Sequence, residues 1–260
     1  LSASAAVSAP TEDSQWITEK IEEINAGLEQ GEQYHRGNYY KLGDSDLYRL
    51  TFTRTIDTET ATITDAVIFI VPGTDANENN SSIPDYNSLG ETPWEESSAS
   101  AIYIADGVTG IGDHAFDGMT TLETIEFENS KSLTKVGEYA FNNCDKMVGL
   151  SLDLSNVTTL GKYAFNGCER LGSGENNKGV TLSDELTTIP ENAFNTCGLK
   201  NVNIPTSCTE IGNNAFANNS LSQITELALP ERLQKIGDNA FSLTMGEGNT
   251  SSGLTSLTIP

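Results

Sequence analysis

IGDHAF, at residues 111–116, is the first of six related hexapeptides that decide the fold of this chain. Successive copies begin 22 to 29 residues apart, and short apolar runs lie between them. The later copies, VGEYAF, LGKYAF, IPENAF, IGNNAF and IGDNAF, begin at Val136, Leu160, Ile189, Ile211 and Ile236. A repeat of this length with one strand-forming run per unit is typical of a solenoid.

The strand half of a repeat is clearest in LETIEF, at residues 122–127. Leu122, Ile125 and Phe127 are predicted to face inward, and Glu126, which lies between two of them, must face outward. A single unit cannot bury its own apolar side, but stacked units share a continuous core. We therefore expect a parallel ladder of strands spaced about 4.8 Å apart.

The IGxxAF half is expected to turn the chain back towards the next strand. Its apolar residues Ile111, Ala115, Phe116 and Met119 have the spacing of one face of a short helical turn. The glycine at the second position, replaced by Pro190 in one copy, suits a tight corner between the two halves. Short helical or irregular turns are therefore predicted between the strands.

The chain divides into three predicted segments. Residues 1–12 are rich in alanine and serine and are predicted to be a tether or linker. Residues 13–95 are predicted to hold a helix, a small antiparallel β-element and a polar loop. A loop this long is uncommon in a compact domain, so it can hide a short strand, and Trp94 can anchor its return. The solenoid then spans residues 96–260, with its C-terminal repeat incomplete.

The N-terminal helix is predicted to begin after an N-cap at Asp13 or Ser14 and to end near Gly31. Its apolar residues recur at helical spacing and form one stripe, made of Ile17, Ile21, Ile24 and Leu28. We expect this stripe to cap the solenoid or to pack on the strands predicted in residues 39–71. Those strands are rich in β-branched and aromatic residues.

The chain of 260 residues is strongly acidic, with 37 Asp and Glu against 14 Lys and Arg and a net charge of −23. Such a surface repels phosphate backbones and anionic lipids, so no nucleic-acid partner is expected. Residues 66–71 form the longest apolar run, which is far too short for membrane insertion by this segment. The acidity serves solubility, or it marks a docking face for basic or metal-bridged partners.

The two ends of the sequence carry further expectations. The chain begins with Leu1 rather than Met, and residues 1–10 have the small-residue character of a secretion-signal tail or a tether, which points to export. Residues 258–260 follow a strand and precede the IGxxAF half of their repeat. Because solenoids need capped ends, we expect the natural chain to continue, or an unusual cap or an oligomer to cover this edge.

The four cysteines are expected to be reduced thiols. Cys144, Cys168 and Cys197 each follow a repeat phenylalanine by three residues, in a slot that other repeats fill with Met119, Asn219 or Thr244. Such a slot is typical of a small packing site. No C-x-x-C pair occurs, so a zinc site is not expected. A bridge between Cys197 and Cys208 stays open, because sequence alone does not fix the geometry.

Residues 94–260 resemble bacterial cell-surface leucine-rich-repeat proteins of the BspA type. The resemblance rests on the six IGxxAF copies, the LxxIxF-type strands and the cysteine after the AF pair. It implies a right-handed leucine-rich-repeat solenoid and an exported protein, located outside the cell or on the surface of a bacterium, that takes part in adhesion or binding. The N-terminal helix and β-element depart from it, and its shared motif is core structure, so no ligand residues carry over.

No residue pattern argues for catalysis, and we expect a non-enzyme without a cofactor. His114 occupies a slot that other repeats fill with Tyr or Asn, which indicates a variable surface position rather than a base. His35 lies in a polar stretch. The patterns of serine hydrolases, zinc proteases and P-loops do not occur.

A metal site is not expected either. Asp75, Asn77 and Asn79 imitate the start of a calcium loop. However, Asn80 and Tyr86 stand where such a loop needs Gly and Glu, so the match fails.

The best candidates for binding are the outward residues of consecutive strands, which a stacked solenoid arranges in one row. The row consists of Glu126, Ser151, Thr181, Asn203, Ala228 and Thr258. These small polar residues suit hydrogen bonds to a protein or a glycan, or plain solvation. The insertion GSGENNKG at residues 172–179 is predicted to protrude as a loop, which either contributes to binding or is surface slack.

These observations favour a non-enzymatic, exported surface protein that binds a protein or a glycan. A structural spacer within a longer cell-surface protein is the alternative, suggested by the incomplete last repeat. An enzyme-accessory domain comes third, and a deep cleft with clustered carboxylates between the N-terminal element and the solenoid would favour it.

Overall fold

The computed structural model describes residues 7–30, 32–57, 62–74, 76, 81–94, 98–148, 152–173, 180–222, 226–242 and 256–258. From residue 98 onward the chain coils as a solenoid of short parallel strands with little helix, which confirms the predicted fold class. Parts of the predicted tether, the insertion, the calcium-loop look-alike and the C-terminal end lie outside the described residues.

The N-terminal helix α1 spans Gln15–Ala26. Ser14 is its N-cap, because its hydroxyl accepts a hydrogen bond from the N–H of Ile17. The helix ends earlier than predicted, since the N–H of Gly27 bonds to the carbonyl of Ile24 at 3.1 Å and closes a tighter last turn. Ile17 is fully buried, and the rest of the apolar stripe packs beside it on the sheet.

The predicted antiparallel β-element is confirmed. Its strands are β1 (His35–Lys41), β2 (Leu47–Asp57) and β3 (Thr62–Pro72), paired in that order. Strand β3 then pairs in parallel with the first solenoid strand, so the N-terminal element and the solenoid share one sheet. The domain division at residue 95 stays a prediction.

The solenoid strands fall into two rows rather than the single row predicted. The first row consists of β4 (Ala99–Ile104), β6 (Thr124–Phe127), β8 (Asp153–Leu154), β10 (Thr181–Leu182), β13 (Glu226–Ala228) and β15 (Ser256–Thr258). The second row consists of β5 (Gly110–Ile111), β7 (Lys135–Val136), β9 (Thr159–Leu160), β11 (Thr188–Ile189), β12 (Glu210–Ile211) and β14 (Lys235–Ile236). The second row arises because the first residues of IGxxAF copies pair with one another, in one sheet from Ile111 to Leu160 and in another from Ile189 to Ile236.

Of the two predicted forms, a short helical turn or an irregular one, the IGxxAF turn takes the irregular form. The N–H groups of His114, Phe116 and Gly118 donate to carbonyl groups of the next turn of the solenoid at 2.7 to 2.8 Å. The alternate residues Ala115, Asp117 and Met119 bond three residues back, as in a 3-10 helix, at 3.3 Å. Because every second donor bonds to the next turn of the solenoid, a continuous helix cannot form.

The glycine at the second position serves close approach rather than a tight corner. A Cβ on Gly161 would lie 2.3 Å from the backbone nitrogen of Glu138, and one on Gly137 would lie 2.6 Å from that of Asp113. Neither glycine has a positive φ. The left-handed residue of each corner is instead the fourth one, with φ between 55° and 58° at His114, Tyr139, Tyr163, Asn192, Asn214 and Asn239.

The repeat phenylalanines form one buried stack through the solenoid. Their ring centroids lie 5.1 to 5.6 Å apart from Phe116 to Phe241. Phe165, in the middle, has no exposed surface. The stack is therefore the spine of a core that runs from the N-terminal sheet to the last described repeats.

Residues 81–94 supply an additional half-turn that covers the N-terminal end of the stack. The N–H groups of Ile83 and Tyr86 bond to the next turn just as the IGxxAF copies do. The ring of Trp94 lies 5.0 Å from that of Phe116, and its indole N–H donates to the carbonyl of Ala115 at 2.8 Å. In place of the short strand predicted for this loop, residues 81–94 contain only an isolated bridge between Ser82 and Gly110, whereas Trp94 does anchor the segment.

The cysteine slot has a second role that its residue types did not indicate. The thiols of Cys144, Cys168 and Cys197 donate to the carbonyl of the phenylalanine one turn earlier at 2.9 to 3.1 Å. Asn219 makes the same bond to Phe194 at 2.7 Å. A buried backbone acceptor is satisfied in each case, which favours a donor in this slot.

All four cysteines are free, as predicted, and no bridge joins Cys197 to Cys208. Burial raises the pKa of the thiols of Cys144, Cys168 and Cys197. Buried thiols of raised pKa are poor nucleophiles and poor metal ligands.

Replacing Phe165 by Ala should open a cavity in the middle of the stack and lower the free energy of unfolding by about 3–5 kcal/mol. Phe241→Ala is the control, and its loss should be smaller because the ring is only partly buried. Urea unfolding of both variants measures the difference. A Phe165→Ala variant that unfolds with the parent protein would contradict the stacked core.

Candidate binding face

The outward side of the first strand row, named here the strand face, is where the predicted binding residues lie. Glu126 pairs in register with Tyr103, and Thr181 pairs with Asp153. A bridge between Val180 and Val202 sets Asn203 beside Thr181. Ala228 pairs with Thr258 in the last pair of strands.

The N-terminal end of the strand face is covered by helix α1. Trp16 packs edge-on against Phe69 and Tyr103, with ring centroids 5.7 and 6.3 Å apart. Three ion pairs connect the neighbouring segments: Arg36 binds Asp13 at 2.6 Å, and Arg54 binds both Asp65 and Glu32. This part of the face belongs to the internal packing of the molecule.

Glu126, the only charged member of the predicted row, is occupied by a contact with α1. Lys20 of the helix binds its carboxylate at 2.9 Å. Burial lowers the pKa of Lys20, but hydrogen bonds to Glu23 and Glu126 outweigh it and raise the pKa above its ordinary value. The ion pair thus marks the place where the covered part of the face ends.

The open part of the face begins with the next strand. Thr181, Asn203 and Ala228 are exposed, as the predicted row requires. Ser151 lies outside the described residues, and the register places Asp153 beside Thr181. The side chain of Thr258 is likewise outside the described part of the chain. The described members of the row therefore divide between a covered end at Glu126 and an open stretch from Thr181 onward.

The open stretch contains a groove of about 410 Å³. It crosses three successive turns of the solenoid, and its polar lining consists of Ser155, Asn156, Thr181, Asp184, Glu185 and Asn203. Leu182 and Ser183, both buried, complete the lining. Hydroxyl, amide and carboxylate groups are thus gathered in one concave site, which suits hydrogen bonding to a ligand.

Asp153 adds a fixed negative charge beside the groove. Burial raises its pKa, but the backbone N–H and the hydroxyl of Ser155 and the hydroxyl of Ser130 outweigh burial and lower the pKa below its ordinary value. The carboxylate is therefore ionised at neutral pH. Sequence reasoning missed Asp153, because the two-residue strand that sets its register has no distinct pattern.

The two histidines are held in structural contacts. His114 is half-buried, its Nδ1 lies 2.7 Å from Asp117, and its ring stacks on Tyr139 at 4.8 Å. Tyr163 continues the stack at 4.7 Å. His35 is an exposed residue of β1 that pairs with Thr53.

Among the described residues, no group of three or more His, Cys, Asp or Glu is placed to hold a metal ion. Likewise, no helix of the described chain combines the length and the apolar character that crossing a bilayer requires.

A family model described as the BspA type leucine rich repeat region, with six copies, matches residues 87–221 and 173–258. The chain belongs to this family. The sequence-based resemblance is thereby confirmed. The BspA-type repeat supports a protein-interaction or repeat-scaffold role and is typical of bacterial surface proteins, and its solenoid is typically non-catalytic.

Two solved structures are similar to this chain. One is the crystal structure of a leucine rich repeat protein of T. pallidum, TpLRR, which is 17% identical over 77% of this chain and 82% of that chain, with a TM-score of 0.34. The other is a leucine-rich repeat protein from Eubacterium ventriosum ATCC 27560, which is 17% identical over 77% of this chain and 68% of that chain, with a TM-score of 0.29. No curated protein matches the sequence.

Replacing Tyr139 by Asn should change the free energy of unfolding by less than about 1 kcal/mol. The lost ring stacking, about 0.5–1.5 kcal/mol, is offset because Asn tolerates the left-handed backbone that other repeats also give to Asn. Tyr139→Val is the control: a β-branched residue strains the same backbone and should cost about 1–3 kcal/mol more. Equal losses in the two variants, measured by urea unfolding, would show that the backbone conformation is not the constraint.

Proposed function

We propose that this protein is an exported, non-enzymatic bacterial surface protein that recognises a protein or a glycan through the open part of its strand face. The observation that carries the proposal is the groove beside Thr181 and Asn203. Both side chains are exposed and lie next to each other on successive turns. The family supports interaction rather than catalysis.

The geometry of the face supports recognition by hydrogen bonds. Successive strands of a parallel ladder are about 4.8 Å apart, so equivalent side chains repeat at that interval. A rigid ladder also fixes its outward groups before a ligand arrives, which lowers the entropic cost of binding. Thr181 and Asn203 offer a hydroxyl and an amide, each of which donates and accepts hydrogen bonds.

A location at the bacterial surface or outside the cell forms part of the proposal. The family is typical of surface proteins, and residues 1–10 have the composition of a secretion-signal tail or a tether. The strongly negative net charge of −23 keeps such a protein soluble.

The alternative function is a structural spacer within a longer cell-surface protein. The observation that favours it is the continuous ring stack from Trp94 to Phe241, which joins successive repeats through one core. A spacer needs no ligand. Specific binding of a ligand to the strand face would therefore distinguish the surface-binding function from the spacer function.

An enzyme-accessory role is the weakest candidate. A pocket of about 330 Å³ does lie between the β1–β2 turn and the first turn of the solenoid, where Asp44, Asp85 and Lys135 line it. Its two serine hydroxyls are held elsewhere: Ser45 bonds to the carbonyl of Leu42 at 2.6 Å, and Ser82 bonds to a threonine hydroxyl at 3.2 Å. This arrangement offers no activated nucleophile.

A binding screen against matrix proteins and a glycan array tests the proposed function. We expect at least one specific ligand, and Thr181→Tyr should weaken its binding at least tenfold by obstructing the groove. The matched control is Thr188→Tyr, which makes the same change at an exposed position of the second strand row. If no ligand binds in the screen, or if Thr181→Tyr and Thr188→Tyr weaken ligand binding equally, recognition through the strand face is contradicted.

A further inference from the structure

We propose that the open strand face takes a basic, extended segment of a partner protein, with a Lys or Arg side chain entering the groove beside Asp184 and Glu185. The inference rests on the proposed function and narrows its ligand from a protein or glycan to a cationic polypeptide.

The molecule itself shows how this face holds a cation. Lys20 of α1 lies across the strand face with its ammonium 2.9 Å from the carboxylate of Glu126 and 5.8 Å from the ring centroid of Tyr103. The Lys20 side chain is only 15% exposed, so the contact is largely shielded from water. Opposite charges attract more strongly in such a setting than in bulk solvent. A basic partner would continue along the same face with the same type of contact.

Beyond Glu126 the acidic character of the face continues, and no ion pair among the described residues neutralises it. Asp153 is ionised and exposed on the next described strand of the row. Asp184 and Glu185 line the groove from the turn that follows β10, and both are exposed. Neither of these two carboxylates is ion-paired with a described residue, and none of the residues that line the groove is cationic.

The whole molecule adds to this local charge. A net charge of −23 makes the surface potential strongly negative, and concave sites concentrate that potential. A positively charged segment is therefore drawn to the groove, whereas a neutral glycan gains nothing from the field. The groove lining also contains no aromatic ring on which a sugar could stack.

The shape of the groove favours an extended segment over a compact one. Three successive turns line it, through Ser155, Thr181 and Asn203. Two strand intervals of about 4.8 Å make it about 10 Å long, which is the length of about three residues of an extended chain at about 3.3 Å each. One cationic side chain can then reach Asp184 and Glu185 while the backbone bonds to the Thr181 hydroxyl and the Asn203 amide.

The experiment uses the full chain and a fluorescein-labelled peptide of alternating Lys and Ser residues as the probe. Fluorescence anisotropy in about 150 mM salt gives its dissociation constant, a condition that screens contacts beyond about 8 Å. We expect Asp184→Asn combined with Glu185→Gln to raise this constant at least tenfold. The matched control combines Glu169→Gln with Glu231→Gln, which removes the same charge from exposed positions and should change it less than twofold.

Three outcomes of this experiment would overturn the basic-segment proposal. Equal weakening by the two double variants would mean that net charge, rather than the groove, attracts the peptide. Failure of the peptide to bind would exclude a basic ligand. Binding of a neutral oligosaccharide such as chitohexaose, lost in Thr181→Tyr, would overturn the basic-segment proposal while leaving the proposed function of the face intact.

Discussion

The spacing between successive turns of the solenoid is the constraint on which the rest of the structure depends. Backbone hydrogen bonds hold neighbouring turns together, and that spacing brings the phenylalanine rings to 5.1 to 5.6 Å from one another. The rings from Phe116 to Phe216 are buried because the rings before and after each one cover both of its faces. The same spacing leaves no room for a side chain on Gly161, where a Cβ would meet backbone at 2.3 Å.

The core could be predicted from the sequence because every repeat meets the same neighbours. Ile111, Ala115 and Phe116 recur in type and spacing, since each copy packs against another copy, and all three are buried. The half-turn at residues 81–94 was only partly visible. Its residues 83–86, IPDY, match the first four positions of the hexapeptide. The ring that it adds to the stack, however, comes from Trp94, which lies much later in its turn than the phenylalanine of an IGxxAF copy.

The binding face was harder to predict, because its state depends on contacts between distant parts of the chain. Glu126 looked like an open charged residue of the row, yet Lys20, 106 residues earlier, covers it. The place of Asp153 depends on a two-residue strand whose register no local pattern reveals. Thr181, Asn203 and Ala228 were correctly placed as exposed because simple alternation along a strand decides their side.

The N-terminal end of the solenoid thus differs from the part that follows it. At the N-terminal end, α1 and Trp94 cover the sheet and the ring stack, while the strand face further along stays open. A double-mutant cycle on Phe141→Leu and Phe165→Leu, measured by urea unfolding, tests most directly whether stacked rings tie neighbouring turns together. We expect the two changes to couple by at least about 0.5 kcal/mol, while the distant pair Phe116→Leu and Phe216→Leu adds independently. Additive effects in the neighbouring pair would contradict the account.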